Sequence, residues 1–288
     1  MASITIIGLG LIGGSIGMAL KRAGVGGIIG YARNPEKARR AVELGAIDRA
    51  EENLISAADK ADIVILTTPV LAMRDILKQI GNHLKSGCVV TDTGSTKAKV
   101  MAWAEEYLPS LVSFIGGHPM AGKELSGIEA AEANLFHNRP YCLVPSPKAS
   151  PEAVQSVVNL VNRLGARPLF ITAREHDEFV AGISHLPLLL SAALVSATSK
   201  SPSWEPMSKL ASTGYRDLTR LASQSPEMNR DICLTNQENI LAWIDRFIEE
   251  LSLFRQLIAE GKGEALERAF IQARQARQRW LEEYGKKG

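Results

Sequence analysis

A chain of 288 residues, 45 % apolar and 22 % charged, is long enough for two packed cores and has the make-up of a soluble globular enzyme. Thirty-three Lys and Arg are balanced by 31 Asp and Glu and scattered among them, which speaks against nucleic acid as the main partner. Three isolated cysteines, Cys88, Cys142 and Cys233, fit neither a disulfide framework nor a metal knuckle, so a reducing, cytoplasmic setting without a metal site is expected.

The apolar run from Ile4 to Leu20 has the length of a signal segment, but it holds five glycines and its positive charges, Lys21 and Arg22, follow it. It reads as folded structure, and no membrane association is expected. Strand-like runs then alternate with helical stretches at Ile4–Gly8, Gly27–Ala32, Asp62–Thr67, Cys88–Thr93, Ser113–Gly117, Tyr141–Pro145 and Pro168–Thr172. Such alternation predicts a mostly parallel sheet with helices on both faces. Val154, Val157, Val158, Val161 and Leu164 recur at helical spacing and mark one covering helix.

Strand signals stop after Thr172, and the rest reads as helix with breaks at Ser201–Trp204, Thr213–Gly214 and Ser225–Pro226. The expected division is therefore an α/β domain over 1–172 and an all-α domain over 173–288. Ser225-Pro226-Glu227 has the hydroxyl cap, first-turn proline and early carboxylate of a helix start, and the helix is predicted to run to about Glu260. Its apolar band, from Ile232 through Trp243, Phe247 and Leu251 to Ile258, is wider than one neighbour covers. A two-fold homodimer through this half supplies the second surface; cover by the chain's own terminal helices is the alternative. Lys286, Lys287 and Gly288 read as a frayed polar tail.

Gly8-Leu9-Gly10-Leu11-Ile12-Gly13 lies between the first strand and the first helix, the context that a dinucleotide fingerprint requires. One glycine permits the turn, the next lets the backbone approach a pyrophosphate, the third lets helix and strand pack closely, and the phosphates sit on the helix N-terminus. The N-terminal half is thus expected to be Rossmann-type. The second strand ends in Tyr31-Ala32-Arg33-Asn34, with a cation where NAD enzymes place a ribose-binding carboxylate. A cation attracts a 2′-phosphate, so the expected cofactor is NADP. Thr91-Asp92-Thr93-Gly94-Ser95-Thr96-Lys97 and Gly116-Gly117-His118-Pro119-Met120-Ala121-Gly122 fall at the ends of later strands, so Ser95 and His118 are expected to meet at the ligand crevice.

With these segments in hand, the sequence resembles the prephenate and arogenate dehydrogenase family. The resemblance rests on residues 8–15, Thr68-Pro69, Gly94-Ser95-Thr96-Lys97, Gly117-His118-Pro119-Met120-Ala121-Gly122, Ile183-Ser184-His185-Leu186-Pro187 and Gly214-Tyr215-Arg216-Asp217-Leu218-Thr219-Arg220, in the family's order. It implies an oxidative decarboxylation: a ring C–H beside a hydroxyl yields hydride to a nicotinamide, the ring carboxylate leaves as carbon dioxide, and the ring becomes aromatic. It further implies that His118 draws the hydroxyl proton, that Ser95 holds the same oxygen or the imidazole, and that Arg220 grips the ring carboxylate. Met120 and Ser184 are expected at the substrate and Thr68 and Pro69 at the cofactor, while Arg216 is equally a substrate, cofactor or structural residue. His185 is as readily structural as functional, and Pro187 is expected to kink its helix.

His83, His137 and His176 read as solvated or capping residues. Many prephenate-using members continue Ser-His-Leu-Pro with a second histidine, whereas this chain has Leu188. Together with Arg33 this favours L-arogenate, giving L-tyrosine with NADP; the alternative is prephenate, giving 4-hydroxyphenylpyruvate. An NADP-dependent β-hydroxyacid dehydrogenase or imine reductase is a further alternative, but only Lys200 stands as a candidate acid on the helix after the sheet. An NADP-sensing binding protein has no use for Ser95, His118 and Arg220 in one crevice. No regulatory module or fused mutase domain is read, so any feedback by tyrosine is expected to act at the active site.

Overall fold

The computed structural model describes residues 2–285; the tail at Lys286, Lys287 and Gly288 lies outside the described residues. By packing, the chain parts between Gln237 and Glu238 into two compact units.

The first unit is built on one eight-stranded sheet. Its strands are β1 (Ile4–Ile7), β2 (Ile29–Tyr31), β3 (Arg49–Glu51), β4 (Ile63–Leu66), β5 (Val89–Asp92), β6 (Ser113–Pro119), β7 (Pro140–Pro145) and β8 (Arg167–Phe170). They lie in the order β3-β2-β1-β4-β5-β6-β7-β8, and all neighbours are parallel except the antiparallel pair β6 and β7. The chain reverses its direction of travel across the sheet between β1 and β4, and such a switch point leaves a crevice at the strands' carboxyl ends.

Both faces of the sheet are covered at its centre, where the strands are mostly apolar and the one polar side chain of β1, Thr5, donates to the Ala57 carbonyl at 2.6 Å. Every residue of β1 and β4 is buried. In β1, Ile6 faces one core and Ile7 the other; in β4, Ile65 and Leu66 divide the same way. Helices α1 (Leu11–Arg22), α2 (Pro35–Glu43) and α6 (Pro151–Arg163) close the first core; α4 (Val70–Ile80) and α5 (Ala98–Tyr107) close the second, beside the one-turn α3 (Leu54–Ala58). The helix expected around Val157 and Val161 is α6, and both valines are fully buried. Burying one such side chain contributes about 1.5–3 kcal/mol. Strand β3 carries no apolar signal: Arg49 and Glu51 pair at 3.2 Å, and a short charged edge resists pairing with other chains.

The remaining helices of this unit are α7 (Ala173–Val180), α8 (Leu186–Ser199), α9 (Trp204–Ser208), α10 (Thr213–Thr219) and α11 (Pro226–Thr235). They pack with the sheet because their buried carboxylates are used there. Asp177 accepts from the Lys97 and Ala98 amides, and Asp231 from the Leu71 amide. Ala173–Ser199 is long and apolar enough to span a membrane, yet it carries the buried polar residues His176, Asp177, His185 and Ser191, which marks it as a packed helix of this unit. Thr213 opens α10 and does not break a helix.

The long helix expected from Pro226 to about Glu260 is interrupted. Asn236 leaves helical geometry at φ −128°, and its side-chain amide donates to the Asp177 carbonyl at 2.7 Å and lies 3.2 Å from His185 Nδ1. The second unit carries α12 (Gln237–Ala259) and α13 (Gly263–Trp280), joined by a turn through Gly261. Phe254 and Phe270 meet across this hairpin with ring centroids 5.3 Å apart.

Candidate active site

The end of β1 forms the floor of the crevice. Gly8 takes φ +103°, a conformation that side chains rarely adopt. A methyl on Gly13 would collide with the Gly8 carbonyl oxygen and the Thr67 hydroxyl, whereas one on Gly10 would meet nothing within 4 Å. The third glycine therefore closes the turn against the sheet, and the second borders open space. Helix α1 starts at Leu11 with Gly10 as a cap that lacks a side chain, so the Leu11, Ile12 and Gly13 amides form a helix N-terminus suited to an anion. Beside it, the Thr68 hydroxyl is buried without a hydrogen-bond partner among the described residues, and Pro69 caps α4. An open cradle, a bare helix N-terminus and an orphaned donor fit a dinucleotide pyrophosphate.

Next along the sheet, Tyr31 and Ala32 are half-buried and Arg33 and Asn34 exposed. Asn34 caps α2 through the Glu36 amide, which gives it a structural duty, while Arg33 stays at the surface where β2 ends.

The β5 segment divides its labour. Asp92, Thr96 and Lys97 are fully buried, and Ser95 is half-buried. Lys97 forms an ion pair with Asp92 and donates to the Gly117 carbonyl at 2.7 Å; Asp92 also accepts from the Gly94 amide at 2.7 Å and the Gly117 amide at 3.0 Å. These bonds tie the segment that carries Ser95 to the residue preceding His118, and so hold the ends of β5 and β6 together. Sequence reasoning gave Lys97 and Asp92 no such part, although a lysine inside a run of small residues was a visible signal.

His118 is half-buried. Its Nδ1 lies 2.8 Å from Nε2 of His176, the rings meeting edge to face at 5.0 Å. Nδ1 of His176 lies 2.8 Å from the Asp177 carboxylate. The expectation that His176 is a solvated or capping residue is corrected: it is 1 % exposed, because α7 turns this face inward onto the N-terminus of α5, and the cap of α7 is Thr172. Burial above all, and then the nearby His176, Lys97 and His185, hold His118 well below the ordinary imidazole range. It is therefore neutral at physiological pH. Burial likewise lowers His185 to about 4.

Arg220 pairs with Glu124, on the loop that leaves His118, so the guanidinium reaches the loop of the imidazole. Met120 is half-buried, and its amide donates to Pro140. Ser184 is exposed, in a π-helical turn, Ala181–His185, that ends two residues before Pro187; a proline lacking its N–H fits such a widened turn. Arg216 is exposed, 3.9 Å from Asp217. No group of metal-ligating side chains is found among the described residues.

Comparison with known proteins gives the same outline. Residues 16–170 match the family model for the nucleotide-binding domain of prephenate dehydrogenase, and residues 172–272 match that for its dimerization domain. A prephenate dehydrogenase of Bacillus subtilis is 40 % identical over 278 residues, 96 % of this chain and 75 % of that protein. The structure of a prephenate dehydrogenase from A. aeolicus with hydroxyphenyl propionate and NAD+ superposes with a TM-score of 0.90 at 33 % identity, covering 97 % of this chain and 98 % of the other. An arogenate dehydrogenase structure from Synechocystis gives 0.81 at 33 % identity, with 96 % and 99 % covered.

Proposed function

Since the chain belongs to the prephenate dehydrogenase family, we propose that it is a cytoplasmic oxidoreductase that oxidatively decarboxylates L-arogenate to L-tyrosine with NADP. The observation that carries the reading is His118: a neutral, half-buried imidazole near the carboxyl end of β6, with Nδ1 already engaged and Arg220 paired to Glu124 on the loop that follows it. A bound nicotinamide supplies the hydride acceptor. Gly8, Gly10, Leu11, Ile12 and Gly13 would hold the pyrophosphate, Thr68 and Pro69 flank it, and Tyr31, Ala32, Arg33 and Asn34 border the adenosine end, with Arg33 attracting a 2′-phosphate.

His118 takes the ring hydroxyl proton through Nε2 as the C–H electron pair departs as hydride. The bond to the ring carboxylate then breaks, carbon dioxide leaves, and its electron pair enters the ring. The phenolate so formed regains the proton from His118. Arg220 grips the ring carboxylate in place of Glu124 and holds the substrate until that bond breaks. Ser95 steadies the ring oxygen, Met120 and Ser184 border the substrate, and Arg216 lies in α10, four residues before Arg220 in the turn that follows it. The division 1–172 and 173–288 separates the nucleotide-holding half from the half that supplies Arg220 and the dimer contact.

Arogenate is favoured by the buried, apolar Leu188 where many prephenate-using relatives have a histidine. Prephenate is the second reading, supported by the name of the Bacillus subtilis relative. The homodimer is supported by Leu241, Ile248, Leu251 and Ile258, each more than half exposed although α13 folds back on α12. The test is spectrophotometric reduction of NADP and NAD with arogenate and with prephenate, repeated with His118→Asn and Arg33→Asp. His118→Asn abolishes turnover, and Arg33→Asp moves the preference toward NAD. A clear preference for prephenate overturns the substrate assignment, and an unmoved cofactor ratio overturns the role of Arg33.

A further inference from the structure

His118 is the outer end of a buried chain of hydrogen bonds whose inner end has one possible polarity. The Asp177 carboxylate sits at the N-terminus of α5 and receives two backbone donors, the Lys97 amide at 2.7 Å on one oxygen and the Ala98 amide at 2.8 Å on the other. A carboxylate held this way is an acceptor, favoured by the partial positive charge of the helix terminus. His176 Nδ1, 2.8 Å from the same carboxylate, is therefore the donor, and in the neutral ring its Nε2 bears the lone pair. Among the described residues the partner of that lone pair is His118 Nδ1 at 2.8 Å, which then brings the hydrogen. The side chains of His176 and Asp177 are 0 % and 2 % exposed, so water does not compete for these bonds. Asn236, donating to the Asp177 carbonyl at 2.7 Å, buttresses the pair from α11.

We propose that Asp177 and His176 are positioning residues: they lock His118 into the tautomer with hydrogen on Nδ1, leaving Nε2 as the bare nitrogen that receives the substrate proton. A free imidazole has access to both tautomers, and the other one would present an N–H donor where an acceptor is needed. The chain also places the Asp177 anion in line with the positive charge that His118 acquires, at no cost in reorganisation. The arrangement follows the logic by which an acid orients a catalytic histidine, with a second imidazole inserted between them. It rests on the reading of His118 given above, and its test separates the two.

The test pairs nitrogen NMR of the whole enzyme, labelled with 15N-histidine, with turnover of three variants. In the wild type, His118 shows a protonated Nδ1 and a bare Nε2. His176→Phe removes the acceptor: kcat falls by about 10²- to 10⁴-fold, while the substrate KM stays within about threefold and dinucleotide binding, read by fluorescence, holds. His176→Gln, whose carbonyl oxygen can replace Nε2 as acceptor, retains kcat within about tenfold of the wild type. A proton found on Nε2 of His118 overturns the proposal whatever the variants do. So does full turnover in His176→Phe while His118→Asn is inactive. Turnover that survives in His118→Asn overturns the functional reading instead, and the nitrogen spectrum still reports whether the relay sets the tautomer.

Discussion

Replacing Lys97 with methionine is expected to cost stability out of proportion to the loss of one hydrogen bond. Lys97 and Asp92 are both 0 % exposed, and the ammonium also donates to the Gly117 carbonyl. Methionine fills nearly the same space, so packing is largely conserved. What changes is electrostatic: Asp92 keeps its two amide donors from Gly94 and Gly117 but becomes a buried charge without a counter-ion. Removing one partner of a buried pair costs about 3–5 kcal/mol, far more than the net worth of the pair, because the other charge is left uncompensated. In a unit of this size each kcal/mol moves Tm by roughly 2–4 °C, so the variant melts about 6–20 °C below the wild type. The double variant Asp92→Asn/Lys97→Met removes both charges and keeps an acceptor for one amide, and it recovers much of the loss. Thermal unfolding followed by circular dichroism, with urea titration for the free energies, reads both effects. A Lys97→Met variant that melts with the wild type, or a double variant less stable than the single one, refutes the claim that the buried charge sets the cost.

Acid destabilises this enzyme before its carboxylates titrate. His185 is lowered to about 4, against 6.5 for an unhindered imidazole, so between those values the unfolded chain binds a proton that the folded one refuses. Stability is whole above about pH 6.5 and falls toward pH 4, by roughly 3 kcal/mol from this residue, with His118 adding a loss of the same sign. Urea titrations at pH 7.5, 5.5 and 4.5 follow it, and a flat profile contradicts the assigned burial. Gly10→Ala folds and melts like the wild type, because the added methyl meets only open space, yet dinucleotide affinity falls at least about tenfold; Gly13→Ala loses both stability and binding. Calorimetric titration on the two variants separates a binding glycine from a packing one. Asp231→Ala removes the carboxylate that accepts the Leu71 amide at the start of α4, a helix whose own cap residue, Pro69, offers no side-chain bond. The expected loss is about 1–2 kcal/mol by urea titration, and an unchanged midpoint shows that the cap is dispensable.

Local regularities were legible in the amino-acid order alone. The β-branched, largely apolar Ile4-Thr5-Ile6-Ile7 and Ile63-Val64-Ile65-Leu66 announce strands buried on both faces, the glycine spacing announces a turn suited to a pyrophosphate, and the polar strand ends carry Ser95 and His118. Each is written within a few consecutive residues, where chain connectivity already fixes the geometry. Tertiary structure decided what depends on partners far along the chain. His176 looks like one more polar residue near a helix start; only the packing of α7 on α5 buries it between His118 and Asp177, 58 residues from the former. Asn236 fits a helix by composition, and the buried carbonyl of Asp177, 59 residues away, pulls it out of one. Edge strand β3 has no apolar alternation to show, and its pairing with β2 is dictated by the sheet. A buried polar group takes its role from whichever partner satisfies it, and that partner is chosen by the fold and not by its neighbours in sequence.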